Sequence, residues 1–144
     1  MTSMATFAMA IGAMALIGMG IFAGISDTES SVIAHNFAIY RNTVTTYALQ
    51  NANATGSLPD NTLTFPEGFV RRTEWDNRVE DNVIYVYGPA TPQTIIEAGQ
   101  LFRCSAAVGR NDQQQLYRAC DGQATGISLP AFIQSGDLTS VIGR

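Results

Sequence analysis

The chain has 144 residues, two cysteines and a formal net charge of −4, which is the size of one modest domain. It contains no lysine, and its eight arginines are scattered apart from the pair Arg71–Arg72. This composition excludes the basic patch on which nucleic-acid binding depends, so nucleic acid is not an expected partner.

The first predicted element is a membrane anchor. Residues 4–25 form an uninterrupted run of apolar or small residues, and no ionisable side chain precedes Asp27. A helix of about 22 residues is roughly 33 Å long, which matches the hydrocarbon core of a bilayer. We predict a transmembrane anchor at residues 1–26 and one α+β domain at residues 27–144. The alternative is a cleaved signal peptide, but the basic start of such a peptide is absent.

The cysteines predict the side of the membrane on which the domain lies. No arginine is close to either end of the apolar run, so the positive-inside rule gives no direction. Cys104 and Cys120 can pair in an oxidising compartment, whereas the cytosol would keep them reduced. We therefore expect a single-pass protein of the bacterial inner membrane whose C-terminal domain lies in the periplasm.

Small residues in the predicted anchor have the spacing of a helix–helix contact. Gly20 and Gly24 form a GxxxG pattern, and Ala8 and Gly12 repeat the same spacing. Small residues four positions apart let two membrane helices approach closely, which predicts self-association or binding to a partner helix. The alternative is that Gly and Ala are simply common in membrane spans.

A second helix is predicted from Ser26 to about Asn53. Ser26 and Glu29 have the spacing of a capping box at its start. An apolar stripe with alternating steps of four and three residues follows at Ile33, Phe37, Tyr40, Val44 and Tyr47. This face is expected to pack on the domain behind it or, alternatively, to form a seam with a partner helix.

The middle of the chain predicts a loop followed by one clear strand. Residues 53–60 are rich in turn-forming residues and end the helix, and residues 61–74 read as loop. Trp75, the single tryptophan, is expected to fill the core. Asp81–Asn82 predicts a tight turn before a strand at residues 83–87, which are all aliphatic or aromatic.

The last third of the chain predicts a short helix and a hairpin. Thr91 followed by proline predicts the start of a helix over residues 92–102. Strands at 105–110 and 114–119 would flank a turn at 111–113, which places Cys104 opposite Cys120 and allows a disulfide. The remaining tail would add one short edge strand.

The sequence carries no recognisable catalytic or metal-binding motif. His35 is the single histidine and has no cluster of ligands around it, and the acidic residues near Trp75 alternate with arginines. We expect a protein that is not an enzyme and needs no cofactor. The alternative is an envelope enzyme, or the activator of one, that uses Cys104.

Several segments together carry a resemblance to a known family. They are the N-terminal span, residues 37–44, 63–69, 75–77 and 83–87, and the segment Leu-Pro-Ala-Phe-Ile-Gln-Ser-Gly at 129–136. In these the chain resembles the small PilM family of thin, type IVb pili encoded by conjugative plasmids, which is unrelated to the actin-like ATPase of the same name. The resemblance implies an inner-membrane protein of the pilus assembly base, used in conjugative mating, whose partners are other pilus or secretion assembly proteins. It assigns no functional residues.

The expected architecture is loosely pilin-like: a transmembrane helix continues into an amphipathic helix that packs on a small antiparallel sheet. The leading interpretation is a non-enzymatic component of the pilus assembly apparatus. The alternative is a minor pilin or pseudopilin-like subunit that enters the filament, although the chain lacks a usable leader site and a glutamate near the start of the apolar run.

Overall fold

The computed structural model describes residues 28–144. The predicted anchor, with Ala8, Gly12, Gly20 and Gly24, lies outside these residues, so its helix contacts stay a prediction. Within the described part of the chain, no helix has the length and apolar character needed to cross a membrane.

Two helices pack on one face of a six-stranded antiparallel sheet. Helix α1 covers residues 28–50, a 3-10 turn covers Asp60–Thr62, and helix α2 covers Pro92–Leu101. The strands are β1 (Asp76–Glu80), β2 (Val83–Gly88), β3 (Val108–Asp112), β4 (Gln115–Arg118), β5 (Ala124–Ser128) and β6 (Leu138–Gly143). Their order in the sheet is β1-β2-β6-β3-β4-β5. The predicted α+β class and antiparallel sheet are confirmed.

Strand β6 lies in the middle of the sheet. It pairs with β2 along its whole length and with β3 from Leu138 to Ser140. The tail, predicted to add one short edge strand, instead adds two strands, β5 at the edge of the sheet and β6 in its middle. The polar Ser140 suggests an exposed segment, but its side chain is fully buried, and its hydroxyl accepts a hydrogen bond of 2.8 Å from the Arg41 Nε, which offsets the cost of burial.

The β3–β4 hairpin turns at Gln113–Gln114, where both residues have positive φ. This register places Asn111 opposite Leu116, so the predicted turn at residues 111–113, and the register that follows from it, are wrong. Asn111 does not form the turn because it is fully buried, and its Nδ2 donates to two carbonyls of the 129–137 loop at 2.9 and 3.0 Å.

Cys104 and Cys120 form a disulfide, with a Cα–Cα distance of 5.5 Å. Cys104 is not in a strand. It lies in the turn after α2, where Arg103 and Cys104 both have positive φ and the Cys104 N–H donates to the Gly99 carbonyl at 2.8 Å. The disulfide therefore joins the end of α2 to the end of β4, and the predicted pairing holds although the predicted hairpin register does not.

The main core lies between the helices and the sheet. Trp75 fills it as predicted, with 1% of its surface exposed, and its ring meets Phe37 edge-on at a centroid distance of 5.0 Å. A smaller cluster around Leu116, Leu129 and Ile133 lies apart from this core. The 129–137 loop supplies two of these residues, so this loop completes the second cluster.

Arg144 holds the end of α1 in place. Its Nη1 donates to the carbonyls of Ala48, Asn51 and Ala54 at 3.4, 3.3 and 3.0 Å. These carbonyls lie at and beyond the end of the helix, where a cation is favourable because the helix dipole is negative there.

Candidate functional site

The apolar stripe predicted on α1 faces the core of this domain. Phe37, Tyr40 and Val44 are at most 1% exposed, and Ile33 and Tyr47 pack against the same core at its margins. Because the stripe is covered by the domain itself, any partner of α1 has to contact a different side of the helix.

A shallow groove runs along the exposed side of α1, between the helix and the loop formed by residues 64–72. We call it the α1 groove. It consists of two adjoining depressions that share Ile39. Its lining is Ser31, Val32, His35, Asn36, Ile39, Asn42, Thr43, Thr46, Tyr47 and Gln50 on the helix, with Thr64, Pro66, Gly68, Phe69, Val70 and Arg72 on the loop.

Three apolar side chains project from this groove into solvent. Val32, Ile39 and Val70 are 47%, 39% and 67% exposed. Val32 and Ile39 are seven residues apart, so they lie on the same side of α1, two turns from each other. Sequence reasoning missed them because they fall outside the buried stripe, where isolated apolar residues are common and carry no signal.

Asn36 fixes the loop wall of the groove against α1. Its Nδ2 donates to the Val70 carbonyl at 2.8 Å, and its Oδ1 accepts from the Arg72 N–H and the Trp75 Nε1–H, each at 2.9 Å. Asn36 is 8% exposed. The first two of these hydrogen bonds hold the main chain of residues 70–72 beside the helix, and the Val70 side chain faces solvent.

We expect the Asn36→Ala variant to lower the free energy of unfolding by about 2–3 kcal/mol, because it leaves the buried Trp75 Nε1–H without a partner. Asn42→Ala is the matched control on the same helix, since Asn42 is exposed and its side chain accepts a hydrogen bond from the neighbouring Arg41. It should change the free energy by less than about 0.5 kcal/mol. Urea denaturation followed by tryptophan fluorescence measures both, and equal midpoints would refute the role given to Asn36.

The described side chains that line the groove include a positive charge but no negative charge. None of the eleven Asp and Glu residues within residues 28–144 lines either depression. The ion pairs within residues 28–144 involve Arg71, Arg78, Arg110 and Arg118, so the Arg72 guanidinium has no carboxylate partner there. Arg72 is exposed and places a positive charge at one end of the groove.

The ionisable groups on and around α1 that do not line the groove are occupied by structural contacts. Burial raises the pKa of Tyr40 more than its hydrogen bond with Asn77 lowers it, so the phenol is neutral at physiological pH. The Arg71 guanidinium lies 4.7 Å from the centre of the Tyr40 ring and pairs with Asp60. Burial also lowers the pKa of Arg41, whose guanidinium lies over the Phe102 ring at 4.5 Å.

The residues of the α1 groove are suited to binding another molecule through non-covalent contacts. Residues 28–144 contain no group of three or more His, Cys, Asp or Glu side chains placed to hold a metal ion. Both cysteines are in the disulfide, and the His35 Nδ1 donates to the Ser31 carbonyl at 2.8 Å. The α1 groove, with exposed apolar groups and one unpaired cation, is therefore the candidate functional site.

Comparison with known proteins gives one family and one fold. The model of the PilM family matches residues 5–141, and no curated protein gives a significant match. The chain is similar to the crystal structure of a protein named PilM from Escherichia coli B7A, with 20% sequence identity and a TM-score of 0.60. The alignment covers 80% of this chain and 92% of that chain. At this identity the likeness concerns the fold alone.

Proposed function

The chain belongs to the PilM family, and from this membership, which connects it with pili, we propose that it is a non-enzymatic inner-membrane component of a type IV pilus assembly apparatus. The apparatus would be that of the thin pilus of conjugative plasmids. The observation that carries the proposal is the extent of the family match, because residues 5–141 include both the apolar segment and the folded domain.

Two features support the inner-membrane placement. The apolar run at residues 4–25 has the length of a bilayer span. The Cys104–Cys120 disulfide supports an oxidising compartment for the domain, since the cytosol keeps such thiols reduced. The proposed arrangement is an anchor in the inner membrane with the α+β domain in the periplasm, where the α1 groove is open to other assembly proteins.

The second candidate is a minor pilin or pseudopilin-like subunit that enters the filament. The observation that favours it is the packing of a long helix, residues 28–50, on an antiparallel sheet, with a disulfide late in the sequence. The two candidates differ in where the mature protein resides, either in the membrane base or in the filament.

Deletion of the gene in the native host tests the proposal. We expect thin pili and pilus-dependent mating to be lost, and both to return when the full chain is supplied in trans. The complementing protein should fractionate with the inner membrane and co-purify with assembly proteins, and sheared filaments should lack it. Normal piliation and mating after deletion would refute the assembly role, and recovery in sheared filaments would favour the filament subunit.

A further inference from the structure

The dimensions of the α1 groove match those of a helix. The groove follows α1 from Ser31 to Gln50, a length of about 29 Å at 1.5 Å per residue. Its apolar groups, Val32 and Ile39, are about 10 Å apart along this axis. A helix with apolar residues at positions i, i+3 or i+4, and i+7 presents contacts at that spacing.

The two walls of the groove offer side-chain contacts to a ligand, and neither wall is the edge of a strand. One wall is the helix, and the other is an irregular segment whose carbonyl at Val70 and N–H at Arg72 are already bonded to Asn36. An extended peptide gains its affinity by pairing its main chain with free backbone groups at a sheet edge. A helix satisfies its own backbone hydrogen bonds, so it needs only the apolar contacts that this groove provides.

The charge of the groove determines which charged side chain the bound helix needs. Arg72 has no ion-pair partner within residues 28–144, and Glu67, the acidic residue of the 64–72 loop, lines neither depression. A carboxylate on the bound helix would pair with Arg72 at the groove's end. Such a pair would be partly desolvated by the helix, which makes it stronger than an exposed surface pair.

A second copy of this chain does not supply that carboxylate. The one acid of α1 is Glu29, which lies in its first turn, at the same end of the helix as Arg72. Two copies packed antiparallel, groove to groove, would therefore hold Glu29 of one copy at the far end from Arg72 of the other and leave Arg72 unpaired. We propose that the α1 groove binds an amphipathic helix of another protein of the assembly, which places apolar residues on Val32 and Ile39 and a carboxylate on Arg72. This inference rests on the proposed assembly function and names the class of partner.

Site-specific cross-linking in native-host membranes tests the occupant. A photo-reactive amino acid replaces Ile39 or Val70 in the full-length chain, and Gln123, which is exposed and lines neither depression, is the control position. We expect the first two positions to cross-link to the same protein, through a segment that has helical apolar periodicity and an Asp or Glu. A cross-link to a second copy, a segment without acid, or no cross-link would overturn the proposal.

Charge reversal tests the role of Arg72. The cross-linked segment, synthesised as a peptide, is titrated against the purified full-length chain in detergent. We expect Arg72→Glu to weaken binding roughly tenfold or more, and an Asp or Glu to Arg change in the peptide to restore much of it. Arg103→Glu is the matched control, because Arg103 is also exposed and has no ion pair within the described residues. Equal affinities for the two variants would overturn the proposal.

Mating assays distinguish a failure of the groove proposal from a failure of the assembly function. If deletion abolishes mating but Arg72→Glu and Ile39→Glu chains restore it fully, the groove proposal is wrong and the assembly function stands. If deletion leaves mating and piliation intact, the assembly function is wrong. An unchanged melting temperature for Arg72→Glu shows that its effect arises from binding, and it is expected because the hydrogen bond of Arg72 within residues 28–144 uses its main-chain N–H.

Discussion

The Gly109→Ala variant is expected to lose the native β3–β4 pairing and to unfold with a free energy lowered by about 3 kcal/mol or more. A Cβ at position 109 would overlap the carbonyl oxygen of Tyr117 and lie 2.7 Å from its carbonyl carbon. Both atoms belong to the main chain, so no rotamer change relieves the overlap. Strand β4 cannot move aside freely, because it pairs with β5 and Cys120 ties its end to the turn after α2.

The matched control for Gly109→Ala is Gly143→Ala. A Cβ at Gly143 meets no atom within 4 Å, and the residue does not have positive φ. Its free energy of unfolding should change by less than about 0.5 kcal/mol. Denaturation of the full-length chain in detergent, followed by circular dichroism, compares the two variants. Similar midpoints for both would show that β3 and β4 are not packed as closely as described.

Replacing both cysteines with serine is expected to lower the free energy of unfolding by about 3 kcal/mol. The disulfide closes a loop with a sequence separation of 16, and opening that loop raises the entropy of the unfolded chain. Relaxation of Arg103 and Cys104, whose φ values of 53° and 55° lie in the left-handed region, would offset a small part of this loss, because side chains other than glycine adopt that region at a cost.

Reductant provides the control for the cysteine variant. Cys104 is exposed, so dithiothreitol should reach the disulfide and lower the melting temperature of the wild-type chain towards that of the double serine variant. The double serine variant itself should not respond to dithiothreitol. A wild-type melting temperature that stays above that of the variant after complete reduction, verified by thiol labelling, would assign the loss to the serine side chains and not to the bond.

The elements that the sequence predicted well are those with local signals. Helix α2 has a threonine cap whose hydroxyl accepts from the Thr94 N–H, with proline in its first turn. The Asp81–Asn82 turn has the positive φ values of a two-residue hairpin. The β3–β4 turn was misplaced because Gln113–Gln114 is not a typical turn pair. Asn111, which is typical, is instead buried under the 129–137 loop, and no local pattern reveals such a distant contact.

The candidate groove was predictable only in part. Val32 and Ile39 are visible in the sequence as apolar residues beside the stripe, but their exposure becomes informative only when the opposite wall is known. That wall is set by Asn36, whose partners at Val70, Arg72 and Trp75 are 34 to 39 residues away. Side-chain hydrogen bonds over such separations leave no periodic signal. The disulfide was predicted from a hairpin that placed the two cysteines opposite each other, whereas Cys104 lies in the turn after α2, outside the strands.

The central position of β6 determines the order in which this domain can fold. The last strand in the chain joins β2 to β3, so the sheet is two separate pieces until residues 138–143 are available. Until then, Ile84, Val86 and Val108, which become buried, stay exposed on incomplete strands. Pairing over such sequence distances is slow because loop closure precedes the stabilising contacts. A chain exported across a membrane would therefore complete this domain only after its final strand had crossed, in one late cooperative step.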